Sequence, residues 1–133
     1  MRRVAIACAA IVLAGCVAPV SKDTVGELSE EGLCVRYGDA LRSSAMDQVT
    51  ILGAELARRG ITMGSTENEV ALRKVVRVGL SRCSMWASWG SSLRDNRTTT
   101  AYGTRIQHVF GMVTGTSRNY VYTENGRITA IQN

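Results

Sequence analysis

The spacing of apolar residues changes once along this chain, near Asp95, and that change limits which folds are open to it. Before Asp95, apolar residues recur at intervals of three and four, the period of an amphipathic helix. After it come short β-prone runs separated by turn-forming segments, namely TTTAY, RIQHVF, YVYT and RITAI. This order predicts an α+β fold in two layers, with N-terminal helices packed on a C-terminal antiparallel meander of three or four strands.

Capping residues divide the helical half into four predicted helices. Ser29 begins the first, and Gly60 ends the second. A third begins at Ser65 and runs into VVRV at 75–78, a segment with high β propensity. The segment CSMWASWG predicts a fourth helix that Gly90 ends, with Trp86 and Trp89 turned toward the core. The alternative for the two tryptophans is an aromatic binding platform.

The strand half carries one strong turn signal and one clear alternation. Asn125 and Gly126 predict a type I′ hairpin turn, because both central positions of that turn need positive φ. Alternation places Ile106, His108 and Phe110 on one face of a strand.

The N-terminus has the pattern of an export signal. Arg2 and Arg3 precede an apolar run, Val4–Val12, that is shorter than the roughly 20 residues a membrane span needs. The run ends in LAGC, which resembles the bacterial lipobox, where cleavage leaves the cysteine as a lipidated first residue. We therefore expect a signal peptide over 1–15 and a covalent lipid on Cys16. The alternative is an unmodified cysteine at the end of a transmembrane stub.

The residues after Cys16 set the expected location and the domain boundaries. Val17 and Ala18 follow it, without the aspartate that marks inner-membrane retention, so the resemblance implies the periplasmic face of the outer membrane. Residues up to 28 contain the only proline and several turn formers, which is typical of a tether. The predicted units are a lipidated tether (16–28) and a single α+β domain (29–133) with a helical part (29–74) and a strand-rich part (75–133).

Export would change both the number of free cysteines and the redox environment in which they lie. Two of the four remain available, Cys34 and Cys83, in a domain that faces an oxidising compartment. They form either one disulfide or two separately buried thiols.

Charge is distributed unevenly along the chain. Without Arg2 and Arg3 the net charge falls from +5 to +3, which is no nucleic-acid signature. Residues 16–72 are acidic and residues 73–133 are basic. The two halves attract each other within the fold, or the basic half faces an anionic partner, or the difference has no consequence.

The segment VRVGLSRCSMWASWGSSLRDNRTTTAYG, followed by QHVF, NYVYTENG and RITAIQN, resembles the small SmpA/OmlA-type (BamE-like) lipoprotein domain. The resemblance covers about residues 75–133 and implies a strand, a glycine, a short helix and a β-meander in that order. The chain departs from the family's Gly-x-Pro at Gly90, Ser91 and Ser92, which predicts a looser turn after the helix.

Catalytic motifs are absent from the sequence. His108 is the only histidine, and as a general base it would need a serine or Cys83 in reach together with an orienting acid. No metal-binding, phosphate-loop or dinucleotide motif is present. We therefore expect a protein that is not an enzyme and that holds no metal or cofactor beyond its lipid; a hydrolase that uses His108 is the remote alternative.

The pattern as a whole favours a non-catalytic module for protein interaction or envelope assembly, anchored to the outer membrane and bound to another envelope protein. The alternative is a periplasmic inhibitor or exclusion factor that binds an envelope enzyme or receptor. Because interfaces are enriched in arginine and tyrosine, the expected interaction surface consists of Arg94, Arg97, Tyr102, Arg105, Tyr120 and Tyr122.

Overall fold

A computed structural model of the chain describes residues 18–111 and 118–133, so the predicted signal peptide and Cys16 lie outside the described residues. A short 3-10 turn, η1 (Val25–Glu27), precedes four helices and four strands in this part of the chain. The helices are α1 (Glu30–Arg42), α2 (Met46–Arg58), α3 (Ser65–Leu72) and α4 (Arg82–Trp89). The strands are β1 (Arg94–Thr100), β2 (Gly103–Gly111), β3 (Arg118–Glu124) and β4 (Arg127–Gln132). The predicted α+β two-layer fold is confirmed.

The helices begin and end where local chemistry satisfies their free backbone groups. The Ser29 hydroxyl accepts a hydrogen bond from the Gly32 N–H at 3.0 Å at the start of α1. Two residues after each of the helices α1, α2 and α3 ends, the backbone has a positive φ: at Ser44 (55°), Gly60 (74°) and Lys74 (55°). In all three, the next backbone N–H bonds back to a carbonyl five residues earlier, the Schellman arrangement. Only one of the three positions has the glycine that this conformation favours.

The sheet is a four-stranded antiparallel meander in the order β1-β2-β3-β4. Asn125 and Gly126 have φ values of 49° and 76°, so the predicted type I′ turn is confirmed. Ile106, His108 and Phe110 are all buried on the face of β2 that the helices cover, which we call the core face. The opposite side is called the outer face.

The two edges of the sheet differ. Backbone hydrogen bonds between Ile128 and residues 79 and 80 cover the edge of β4, and Ser81 forms an isolated bridge to Arg127. The edge of β1 has no such cover among the described residues.

A disulfide holds α1 against α4. Cys34 and Cys83 are bonded, with their Cα atoms 5.3 Å apart, and both side chains are buried. The same two helices approach closely at Gly38, where an added Cβ would overlap the Ala87 carbonyl. The structure thus has the bonded alternative of the two that the sequence allowed.

Two sequence-based expectations are wrong. The segment 75–78 forms no strand; it is an irregular connection with Val76 buried, and the pairing with β4 begins only at Gly79. Residues 18–28 do not form a free tether either, because Val20 and Val25 belong to the hydrophobic core. The backbone of Val20 both donates to and accepts from the amide side chain of Gln48 on α2.

Candidate functional site

The sheet brings together four of the six residues predicted for an interaction surface. Strand register places Arg94, Arg105, Tyr120 and Tyr122 on the outer face, in line with Val109 and Gln107 of β2. The other two lie elsewhere. Arg97 is opposite Ile106 and so points to the core-face side of β1, and Tyr102 is fully exposed in the β1–β2 turn.

Hydrogen bonds join side chains from all four strands across the outer face. Asn96 Nδ2 donates to Gln107 Oε1 at 2.8 Å, and Gln107 Nε2 donates to the Tyr122 hydroxyl at 2.7 Å. That hydroxyl donates to Gln132 Oε1 at 2.9 Å. The guanidinium of Arg105 stacks over the Tyr122 ring, 4.4 Å from its centre. This network holds the Tyr122 and Arg105 side chains in fixed positions, so a partner would bind these two with little loss of side-chain entropy.

Sequence reasoning missed Asn96, Gln107 and Gln132. Each is an amide residue on a strand, and nothing in its local sequence marks it as functional. The Asn125-Gly126 turn fixes the β3–β4 register near the turn, but a bulge between Tyr122 and Thr123 shifts that register and brings Gln132 near Tyr122.

Strand β1 is exposed along its whole length and presents a free edge. In a two-residue hairpin the residues flanking the loop, here Thr100 and Gly103, form a hydrogen-bonded pair, and such pairs alternate along the strand. The N–H groups of Asp95, Arg97 and Thr99 therefore point away from β2. No backbone partner for them occurs in the described part of the chain. An unpaired edge of this kind can accept an extended segment of another protein.

Electrostatics distinguishes the sheet from the helices. Glu30 on α1 and Arg82 on α4 form an ion pair at 2.7 Å that joins the acidic and basic halves. Arg94, Arg97 and Arg118, in contrast, form no ion pair with any described residue. Part of the charge asymmetry is thus matched within the fold, and the start of β1 and of β3 remains basic.

The sequence left open whether His108 is a catalytic base, and its surroundings are now defined. Its Nδ1 lies 2.8 Å from Asp95 Oδ1, and its Nε2 lies 2.9 Å from the Thr123 hydroxyl. Because a carboxylate only accepts, Nδ1 carries the proton and Nε2 accepts from Thr123 in the neutral ring. Burial lowers the pKa of His108, and the hydrogen bond and charge of Asp95 oppose that shift.

An acid, an imidazole and a hydroxyl in this order have the connectivity of a hydrolase triad. His108 is 0% exposed and Thr123 is 1% exposed, however, and neither lines any of five clefts of the described chain, so these clefts give a substrate no route to either residue. Cys83, the other nucleophile that the sequence offered, is held in the disulfide. These three side chains, Asp95, His108 and Thr123, which we call the His108 relay, instead connect strands β1, β2 and β3.

Several clefts lie on the helical side of the molecule. One of 650 Å³ lies between the starts of α3 and α4 and the β3–β4 turn. Another of 370 Å³ lies where α1 and α4 end against the sheet. No group of three or more His, Cys, Asp or Glu side chains that could hold a metal occurs within residues 18–111 and 118–133. No helix in the same two ranges is long and apolar enough to cross a bilayer.

No family model, no curated protein and no solved structure matches this chain. The resemblance to SmpA/OmlA-type domains therefore depends on the sequence pattern alone and stays a prediction.

Proposed function

We propose that this chain is a non-catalytic interaction module, anchored by a lipid on Cys16 to the periplasmic face of the outer membrane, that binds another envelope protein through its sheet. The observation that carries the proposal is the free edge of β1 beside the ordered arginine and tyrosine side chains of the outer face. Main-chain hydrogen bonds along the edge would supply affinity, and the neighbouring side chains would supply specificity. Because Arg94 and Arg97 lack ion-pair partners in the described chain, an extended segment with acidic residues is the complementary partner.

The disulfide supports the proposed compartment. Disulfides persist in the periplasm and outside the cell and are rare in a reducing cytosol. A buried Cys34–Cys83 bond between two helices is therefore what an exported domain of this size would carry. The lipobox-like LAGC motif, which precedes the described residues, supports the anchor independently.

The docked N-terminal segment supports an orientation in which the sheet is accessible. Only Val17 separates Cys16 from Ala18, whose carbonyl accepts a hydrogen bond from Arg36 on α1. At 3.8 Å per residue, the lipidated cysteine would lie within about 8 Å of Ala18. Since η1 packs on α2 and α2 packs on α1, the anchor attaches to the helical layer. The outer face of the sheet would then point away from the membrane.

The burial of the His108 relay supports a non-catalytic role. A general base must reach the proton that it removes, either directly or through one water. Both His108 and Thr123 lie under the helical layer. His108→Gln is expected to lower the free energy of unfolding and to leave partner binding intact.

Site-specific photo-crosslinking in intact cells tests the docking surface. A photoreactive residue at Thr98, on the outer face of β1, is expected to give a discrete crosslinked product, and the same residue at exposed Thr50 on α2 is not. Thr99→Pro removes an edge N–H without removing a bond to β2, so it should abolish the Thr98 product. A Thr98 product that survives Thr99→Pro would contradict docking at this edge.

The anchor is tested separately. The mature protein is expected to begin at Cys16 and to carry acyl mass, and to sediment with outer membranes, whereas Cys16→Ala should not. A soluble wild-type protein with another N-terminus would refute the anchor and the localisation, and would leave the crosslinking result to be judged on its own.

A further inference from the structure

The 370 Å³ cleft contains a polar group that nothing in the described protein satisfies. We call it the α1–α4 cleft; it is lined by the end of α1, Lys74, the last residues of α4, and the facing ends of β2 and β3. Ser88, 2% exposed, lines it, and its hydroxyl has no hydrogen-bond partner. Ser84, one turn earlier on α4, donates its hydroxyl to the Ser81 carbonyl at 2.8 Å. A buried serine on a helix commonly makes such a bond, so the free hydroxyl of Ser88 is the exception.

The wall of the cleft is aromatic and rigid. Trp89 and Phe110 pack edge to face, with ring centres 5.4 Å apart. The indole N–H of Trp89 donates to the Lys74 carbonyl at 3.0 Å, which fixes the backbone of the α3–α4 connection beside the cleft. This wall suits a flat apolar group.

Among the charged side chains that line the cleft, one cation has no ion-pair partner in the described chain. Arg42 is paired with Asp39 at 2.7 Å, and its Nη1 donates to the carbonyls of Ala71 and Ala87. Lys74 has no ion-pair partner among the described residues. The left-handed backbone of Lys74 would suit glycine better, yet the position carries an amine. One unpaired positive charge matches one monoanion.

The larger cleft lacks both the aromatic wall and the buried, unbonded hydroxyl. Glu67 in its wall accepts from the N–H groups of Gly64 and Ser81, and Glu30 is paired with Arg82. Arg127 also lines it and has no ion-pair partner among the described residues, but its guanidinium donates to the Gly79 carbonyl at 3.1 Å. No buried side-chain polar atom without a hydrogen-bond partner lines this cleft in the described part of the chain.

We propose that the α1–α4 cleft binds a small amphipathic carboxylate. The carboxylate is bound by the Lys74 amine and the Ser88 hydroxyl, and the apolar part lies on Trp89 and Phe110. A volume of 370 Å³ falls at the lower end of small-molecule sites, which suits a ligand of this size. The site is independent of the sheet edge and of the lipid anchor.

The probe is phenylacetate, added to the full chain in detergent solution with the disulfide intact. Binding is followed by NMR through the indole N–H signals of the two tryptophans, Trp86 and Trp89. Phenylacetate is expected to shift the Trp89 signal in a saturable way and to leave that of Trp86 in place. Benzyl alcohol and phenethylamine have the same ring without the negative charge and are expected to bind at least about tenfold more weakly.

Variants assign the contacts. Lys74→Gln and Ser88→Ala are each expected to weaken phenylacetate binding, the first by about tenfold and the second by several-fold. Lys22→Gln removes the only other lysine, which lies outside the cleft, and should have no effect. Equal shifts with all three probes, unchanged affinity in Lys74→Gln, or no saturable shift of Trp89 with phenylacetate up to about 20 mM would each overturn the proposal.

Discussion

His108 donates its Nδ1 proton to Asp95 across the β1–β2 pair, and the same carboxylate oxygen accepts from the Ser92 hydroxyl at 2.7 Å. With the Thr123 hydroxyl on the other ring nitrogen, both nitrogens of the buried neutral imidazole have a hydrogen-bond partner. Burial lowers the pKa of His108 despite the opposing effect of Asp95, so the native state resists protonation of the ring.

This predicts a loss of stability on mild acidification. Below about pH 6.5 the unfolded chain binds a proton at His108 before the native state does, so the free energy of unfolding falls as the pH falls. His108→Gln has no titrating ring and should flatten the dependence between about pH 6.5 and pH 5. At neutral pH it should cost about 1–3 kcal/mol through lost hydrogen bonds. Urea unfolding of wild type and His108→Gln across this pH range measures the pH dependence and the loss at neutral pH. If the free energy of unfolding of the two proteins changes with pH in the same way, His108 is not the group responsible.

Glu55 predicts a second effect at lower pH. Hydrogen bonds from Arg58 and Arg59, all at 2.7 Å, lower its pKa to about 2. Its contribution is therefore complete above the ordinary value of 4.5 and is lost as the pH falls toward 2. Glu55→Gln should lower the urea midpoint at about pH 7 and approach the wild type near pH 2. A variant whose deficit is the same at both pH values would show that the pairing does not stabilise the fold.

The disulfide is expected to contribute most of its effect through the unfolded state. Cys34 and Cys83 are 49 residues apart, and closing a loop of that length corresponds to about 4 kcal/mol in the chain-entropy treatment. The double change Cys34→Ala and Cys83→Ala should lower the free energy of unfolding by about that amount. Wild type under reducing conditions should lose a similar amount. A loss below about 1 kcal/mol in both would show that the bond adds little to the packing of α1 on α4.

Gly38 is the position where the helical layer admits no side chain. A methyl group there would overlap the Ala87 carbonyl on α4. Gly38→Ala should cost about 2–3 kcal/mol, because the backbones of α1 and α4 must separate. Gly53→Ala on α2 is the matched control; its Cβ would meet only the Tyr37 ring at 3.4 Å, so its effect should lie within about 1 kcal/mol of neutral. If Gly38→Ala and Gly53→Ala lower the free energy of unfolding equally, the close approach of α1 to α4 at Gly38 is contradicted.

Locally encoded features of this fold could be predicted from the sequence. The cap at Ser29, the turn at Asn125 and the alternation around His108 each depend on a few neighbouring residues, and the structure confirms all three. The predicted strand at 75–78 failed because β4 pairs with the residues that follow it, a choice made by tertiary packing rather than by propensity.

The contacts that define the candidate sites depend on distant parts of the chain. Asp95 and Thr123 reach His108 only through the register of three strands. Val20 is held against α2 by Gln48, which lies 28 residues further along the chain. The local composition of residues 18–28 does not contain this contact, and for that reason it indicated a tether. The endings of α1 and α3 were missed for a related reason, since Ser44 and Lys74 take a conformation that a sequence usually marks with glycine.

Ser88 and Ser84 are both buried on α4, and among the described residues only the Ser84 hydroxyl has a hydrogen-bond partner. Ser84→Ala removes the hydrogen bond to the Ser81 carbonyl and should cost about 1 kcal/mol. Ser88→Ala removes a hydroxyl that has no partner in ranges 18–111 and 118–133, so it should stabilise the protein by up to about 1 kcal/mol. If the α1–α4 cleft is a binding site, the variant that gains stability is also the one that loses phenylacetate affinity. Destabilisation by Ser88→Ala in the absence of any ligand would mean that the protein itself satisfies this hydroxyl, and would remove the main reason to expect a ligand there.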